Sequence, residues 1–346
     1  MSQAYHTLYI DKEAGSKSAG FIRKQAQATF RDEILPDFFA GGSVFSMAAA
    51  KKMDDPILVS SIGGIDAKLK VAFLMDKHDT VGIDCVAICV NDIVCSGAEP
   101  LFFSDYISCS RNYSSLTNII ISGIIEGCLL ADISLIGGKT SEVPGFYQNR
   151  EYNLAGFAVG LADRSKCISG GNVKVGDALI GLGSSGIHCS GFSLIRRVLR
   201  LNERCLMEYI QSLGSTLGEE LIKPTRIYAR SISKLKDTIP INAIYHIENG
   251  GIAKNIRHML PEGSGAVIRC GTWEELPIFK LIQWEGEVDS TEMYNIFNMG
   301  IGMIIAVSPE HVNAALAKLK ELGEKAFVIG EICDSDLCDE ANVIFC

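Results

Sequence analysis

Basic residues are in short supply. Lys and Arg number 32 against 41 Asp and Glu, leaving a net charge of −9. A general nucleic-acid binder needs a basic face, so that class is set aside. The cluster of Arg196, Arg197 and Arg200 reads as a solvated helix face. Charged residues of both signs make up only 21% of the chain while 47% is hydrophobic, which excludes a disordered or fibrous protein. Zinc-ligand spacing is missing too. The twelve cysteines include no CxxC pair, and Cys333 and Cys338 have no histidines at ligand distance. The N-terminus shows no signal peptide, so the cysteines are expected as buried thiols in a cytoplasmic protein. The longest apolar run, Ile119 to Ile136, is broken by Glu126 and Asp132 and reads as a buried helix, so no membrane partner is expected. No GxSxG, HExxH or P-loop lysine motif occurs, which sets aside serine hydrolases, zincins and Walker-type NTPases.

What is present is a two-domain pattern, since 346 residues exceed one typical core. Strands are expected at Ile57–Ser61, at Lys68–Met75, in "PLFFSDYIS", in "ISLIGG" and in "YNLAGFAVGLA". Helices are expected over Val81–Gly97 and Leu116–Ala131. Near residues 163–176 the chain turns polar and glycine-containing, placing a boundary between domains 1–168 and 169–346. The second half opens with "DALIGL", the turn "GSSG" and the helix "GFSLIRRVLRL", and continues with "AIYHI", "ENGG" and "GAVIRC". Mixed elements in both halves imply an α/β (α+β) fold.

The stretch "ILVSSIGGIDAKLK" sets a glycine-rich turn after a strand, a pattern that often cradles phosphate. "GLGSSG" at Gly181–Gly186 satisfies GxGxxG, but Glu203 falls at the end of the following helix rather than on a second strand, against a dinucleotide fold. What survives is an anion-binding turn containing Ser184 and Ser185. His188 follows it directly, and a histidine there is as readily substrate-facing as structural. His246, before "ENGG", is similarly open. His6, His78, His258 and His311 read as surface residues. Asp92 and Asp105 are the candidate metal-holding acids, against the alternative of capping or core aspartates.

The segments "VGIDCVAICVNDIVCSGAEPLFFSDY", "YNLAGFAVG", "GSSGIHCSGFSLIRR", "KPTRIY", "EMYNIFNMGIGM" and "VIGEI", in this order along nearly the whole chain, resemble the phosphoribosylformylglycinamidine cyclo-ligase (aminoimidazole ribonucleotide synthetase) family of purine synthesis. The resemblance implies a homodimer in which N-terminal strands form a barrel across the interface. It also implies ATP and Mg2+ as cofactors and a small nucleotide substrate, formylglycinamidine ribonucleotide, closed to aminoimidazole ribonucleotide. By the same resemblance His188, Lys68 and Asp92 are catalytic, with Asp92 also the metal ligand. Gly64, Asp66, Lys68, Asn91, Asp105, Gly138, Lys139, Thr140 and Glu142 bind the cofactor. Ser185, Gly186, His188, Ser190, His246 and Asn298 bind the substrate.

The polar turns depart from the family pattern. Its DGVGTK is "GGIDAK" here, so an aspartate becomes Gly63, a glycine Asp66 and a threonine Ala67, while Lys68 is kept. Its GGETAEMPG is "GGKTSEVPG", placing Lys139 where a glutamate stands. Ser190 replaces an asparagine, Glu248 and Asn249 replace threonine and glycine, and Asn295 and Ile296 replace arginine and threonine. A lysine cannot ligate magnesium. The departures leave three readings open. They are the cyclo-ligase, a silent paralogue serving as a binding or partner subunit, and an ATP-dependent enzyme acting on another amide.

Overall fold

A computed structural model of the chain describes residues 24–35, 43–334 and 343–346. His6, Cys338 and the glycines at 41 and 42 lie outside the described residues. Two sheets organise the rest. The first is built from β1 (Pro56–Gly64), β2 (Glu99–Cys109), β3 (Ser134–Glu142) and β4 (Tyr152–Asp163), in the order β1-β4-β2-β3. All its pairings are antiparallel except β2 with β3. The helix Ser114–Ala131 makes the crossover that a parallel pair requires.

That helix is long and apolar enough to cross a membrane by length and composition, yet Ile120, Ile121, Ile124 and Cys128 are buried in the core. It packs on the helix Val81–Cys95, and both lie on one face of the sheet. Glycine permits the close crossing. A Cβ on Gly82 would overlap the backbone of Ile124, and one on Gly123 the carbonyl of Asp79. Among the described residues the opposite face of the sheet leaves apolar side chains exposed: Leu58 is 62% and Ile62 76% exposed, with Tyr106 and Phe157 beside them.

The chain passes from Asp163 to β5 (Ala178–Gly183) and enters the second sheet. A small ribbon of β6 (Tyr209–Ile210) and β7 (Ser215–Thr216) stands apart from it. The sheet itself adds β8 (Ala243–His246), β9 (Ser264–Ile268), β10 (Ile301–Val307), β11 (Ala326–Asp334) and β12 (Val343–Phe345). Its order is β12-β9-β11-β5-β10-β8, antiparallel except for β12 with β9. Every residue of β10 is buried, as expected of a strand with a partner on each edge and cover on both faces.

Two expectations are corrected here. Lys68–Met75 is not a strand, because Leu69–Met75 is a helix closed by Asp76 in the left-handed region at φ 47°. Its buried residues are Leu69, Val71 and Ala72, and a stretch this short gives the sequence pattern too little room to separate a helix from a strand. His78 is not a surface residue. It is buried, with Nδ1 3.0 Å from the Tyr152 hydroxyl and Nε2 3.2 Å from Asp76. The Arg196 and Arg197 side chains do form an exposed helix face.

Candidate functional site

A cavity of about 550 Å3 opens between the two domains. One wall is the end of β1 and its turn (Gly63, Gly64, Asp66, Ala67) together with Asp92 of the helix Val81–Cys95. The other wall comprises Cys189–Leu194, Glu248–Gly250 and Asn295–Ile296. A second cavity of about 410 Å3 shares Asp92, Glu248 and Asn249 and is completed by residues including Tyr245, Lys254 and His258.

Asp92 is held from both sides. Ser61 donates its hydroxyl to Oδ2 at 3.0 Å, and His246 Nδ1 lies 3.1 Å from Oδ1. The other ring nitrogen of His246 faces Asn91 Nδ2 at 3.3 Å. Asn91 is pinned in turn, donating to the Arg226 carbonyl and accepting from the Tyr228 N–H, each at 2.9 Å. Burial works against charge on His246, but its hydrogen bond to Asp92 and the nearby Glu248 raise its pKa on balance. Glu248 is itself pushed up, first by burial and further by the carboxylates of Asp92 and Asp66, with His246 opposing.

Lys68 does not face the cavity. It is fully buried, ion-paired with Asp84 at 2.9 Å and donating to the Lys223 carbonyl at 2.6 Å. Such a pair is tolerable only because further hydrogen bonds satisfy it. Asp84 accepts from both the N–H and the hydroxyl of Thr225 at 2.7 Å. His188 is likewise internal. It sits in the left-handed region at φ 62°, and its Nε2 accepts from the N–H groups of Ser185 and Arg226 at 3.2 and 3.4 Å. Burial first, then the positive neighbours His246, Lys68 and Arg226, hold its pKa well below the ordinary value.

Ser185 spends its hydroxyl on the Pro224 carbonyl at 2.6 Å. Asn298 is buried and bonds the carbonyls of Gly186 and Ile187 through Nδ2, while Oδ1 accepts from the Gly300 N–H. Of the residues expected at the site, then, Gly64, Asp66, Asp92 and Ser190 line the main cavity. Lys68, Asn91, Ser185, His188 and Asn298 stand behind its walls, Gly186 is buried in the same turn, and His246 borders the second cavity.

The remaining expected residues lie across the sheet. Strand register aligns Gly63, Gly156, Asp105 and Gly138 in one row, and Gly64, Ala155, Tyr106 and Lys139 in the next. Asp105 fills the space that a Cβ on Gly138 would take, and burial raises its pKa to about 7 against a small opposing effect of its own backbone N–H. Lys139 is exposed, and Thr140 and Glu142 are half-buried further along β3. Glu142 accepts from the Asn112 N–H at 2.7 Å.

A magnesium ion held by the protein does not fit these residues. A Cβ on Gly63 would overlap Ile88 Cγ2, so no carboxylate can project from that position as the site stands. Both oxygens of Asp92 already accept a hydrogen bond. Among the described residues, no group of three or more His, Cys, Asp or Glu is placed to hold a metal.

Sequence reasoning missed Asp84, although it lies seven residues before Asn91 on one helix and therefore on the same face. It recorded Glu248, Asn249 and Asn295 as departures without placing them at the cavity, where all three stand.

Residues 48–162 match the family model described as AIR synthase related protein, N-terminal domain, and residues 174–338 its C-terminal counterpart. The phosphoribosylformylglycinamidine cyclo-ligase of Acetivibrio thermocellus is 51% identical over 328 residues, covering 95% of this chain and 96% of that protein. That of Lachnoclostridium phytofermentans is 46% identical over 333 residues, covering 96% and 98%. Among solved structures, thiamine-monophosphate kinase from Stenotrophomonas maltophilia superposes with a TM-score of 0.68 at 15% identity, covering 94% of each chain. The hydrogenase maturation protein HypE in complex with ATP gives 0.61 at 16% identity, covering 92% of this chain and 85% of that one. With both family models matched in order and half the residues shared with a full-length relative, the chain belongs to the phosphoribosylformylglycinamidine cyclo-ligase family of AIR synthase related proteins.

Proposed function

We propose that this chain is an ATP-dependent cyclo-ligase that closes formylglycinamidine ribonucleotide to aminoimidazole ribonucleotide in purine synthesis. The observation that carries the reading is full-length similarity to the curated cyclo-ligases, at 51% identity over 95% of the chain. The chemistry suits a cavity walled by two domains. An amide oxygen leaves poorly; transfer of the γ-phosphoryl group of ATP onto it, with release of ADP, lets it depart as inorganic phosphate when the substrate nitrogen attacks the carbon. The protein's part is then to bring the phosphorylated carbon and the attacking nitrogen together away from water.

In this reading the substrate lies in the cavity of about 550 Å3, with Ser190, Asn249 and Asn295 available as neutral hydrogen-bonding groups. Asp92, oriented by Ser61 and His246, lines that cavity and is the candidate to accept a proton as the ring closes. Lys139, Thr140 and the exposed Gly138 remain the candidates for the ATP phosphates, with Gly64 in the same row as Lys139 but three strands away on the other edge of the sheet, and Asp66 just past the end of that strand. Magnesium belongs to this reading as the counter-ion that ATP brings on its own phosphates.

The exposed sheet face, with Leu58, Ile62, Tyr106 and Phe157, supports a homodimer closed through the N-terminal sheets, because an apolar face of that kind is rarely left to solvent. A cytoplasmic location accompanies the pathway. The test is a coupled assay of purified protein with formylglycinamidine ribonucleotide, ATP and magnesium, reading ADP and aminoimidazole ribonucleotide. Equimolar ADP and product are expected. ADP formed only with another amide substrate, or no turnover beside an active relative, overturns the assignment.

A further inference from the structure

Between the helices Leu217–Leu221 and Ala229–Lys236 the chain runs without regular structure from Lys223 to Tyr228. It is wedged between the two domains, where unpaired backbone groups are costly. They are paired by side chains instead. Lys68, Asp84 and Asn91 of the N-terminal domain take the Lys223 carbonyl, the Thr225 N–H, the Arg226 carbonyl and the Tyr228 N–H. From the C-terminal domain, Ser185 takes the Pro224 carbonyl and His188 the Arg226 N–H.

Three of these gripping residues sit next in sequence to a residue that lines the main cavity. Lys68 follows Ala67, Asn91 precedes Asp92, and His188 precedes Cys189. Cys189 itself lies 3.4 Å from the Thr225 hydroxyl. A shift of the segment is therefore transmitted by one peptide unit to both walls.

We propose that Lys223–Tyr228 is a strap that sets the spacing of the two cavity walls, with Asp84 and Thr225 as positioning residues for whatever the cavity binds. This rests on the functional reading above for the location of the substrate. It assigns Lys68, Asn91 and His188 to the strap rather than to the reactants. The Thr225 hydroxyl is its most specific contact, since it joins Asp84 of one domain to Cys189 of the other.

The test compares Thr225→Val, which keeps shape and the N–H but removes the hydroxyl, with Thr225→Ser, which keeps the hydroxyl. Ser185→Ala, which loosens the strap from the opposite side, serves as a second variant if Thr225→Val does not fold. Each is assayed for cyclo-ligase kcat and KM, for direct substrate binding by calorimetry, and for melting temperature. Thr225→Val, still folded, is expected to weaken substrate binding and raise KM about fivefold or more with a smaller effect on kcat, while Thr225→Ser stays within about twofold of the parent. Unchanged KM and substrate affinity in folded Thr225→Val and Ser185→Ala overturn the proposal. Equal damage from Thr225→Ser and Thr225→Val does so too. If the unaltered protein binds the substrate without turning it over, the cyclo-ligase reading fails while the calorimetric comparison still decides the strap. A protein that binds no formylglycinamidine ribonucleotide overturns both.

Discussion

The two sheets of this chain differ in strand length, and they are opposite in how they dispose of apolar surface. In the six-stranded sheet, β10 buries all seven of its residues between β5 and β8, so its cohesion is internal to one chain. In the four-stranded sheet, β1 alternates exposed and half-buried positions and leaves Leu58 and Ile62 in solvent. One sheet is buried within its own domain, and the other leaves apolar side chains exposed on one face among the described residues. Sequence drift in a finished sheet is limited by packing. In the open one it is limited by what docks there and by what the turns at its ends must bind.

Substitutions can break that contrast. The largest effect is expected from Ile304→Ala in β10, where a fully buried side chain leaves a cavity worth about 2–5 kcal/mol, read by chemical denaturation. A cost below that of an exposed residue would mean that β10 is not central.

Asp105 sharpens the contrast from the other sheet. Its folded pKa of about 7 lies above the ordinary aspartate value of 3.8, so the folded chain keeps a proton that the unfolded chain gives up. Stability should therefore fall as pH rises from about 4 to about 7 and level off above that. Asp105→Asn should remove this slope in melting temperature against pH, and an unchanged slope would show that Asp105 ionises freely in the fold.

Gly63→Asp is expected to cost about 1–3 kcal/mol, because the new side chain meets Ile88. Adding Ile88→Ala should recover part of that cost, giving a favourable coupling in a double-mutant cycle. Strict additivity would show that Ile88 is not the obstacle. The smallest effect on the protomer belongs to Ile62→Asp. It should change protomer stability by only about 0.5 kcal/mol, as a surface substitution does, while shifting sedimentation from dimer to monomer. A protein that is monomeric before the substitution removes the reason for treating that face as an interface.

Much of the framework was readable in the sequence. Val81–Cys95, Ser114–Ala131, β2 and β4 carry long or strongly patterned apolar stretches, and their positions match expectation to within a few residues. The helix Leu69–Met75 was misread because seven residues give a period-2 and a period-3.6 pattern too little room to differ. The site was less legible for another reason. A motif lysine or histidine looks the same in sequence whether it faces a ligand or an irregular backbone segment 155 residues away, as Lys68 does. Burial decides which, and burial is a property of the assembled domains. Gly63 is the reverse case. The missing carboxylate was visible, but the closure of its place by Ile88 was not.

The strap also bears on how the molecule comes apart. Its grips join residues far apart in the chain, 155 positions between Lys68 and Lys223 and 141 between Asp84 and Thr225, so the chain must close long loops before they form. They are expected to form after each sheet has assembled and to be largely absent from the rate-limiting state. Contacts of that kind slow unfolding while hardly changing the folding rate. The lifetime of the native molecule, as distinct from its equilibrium stability, then depends strongly on this joint, and loosening it at Thr225 should steepen the loss of protein under proteolysis or heat before either sheet is weakened.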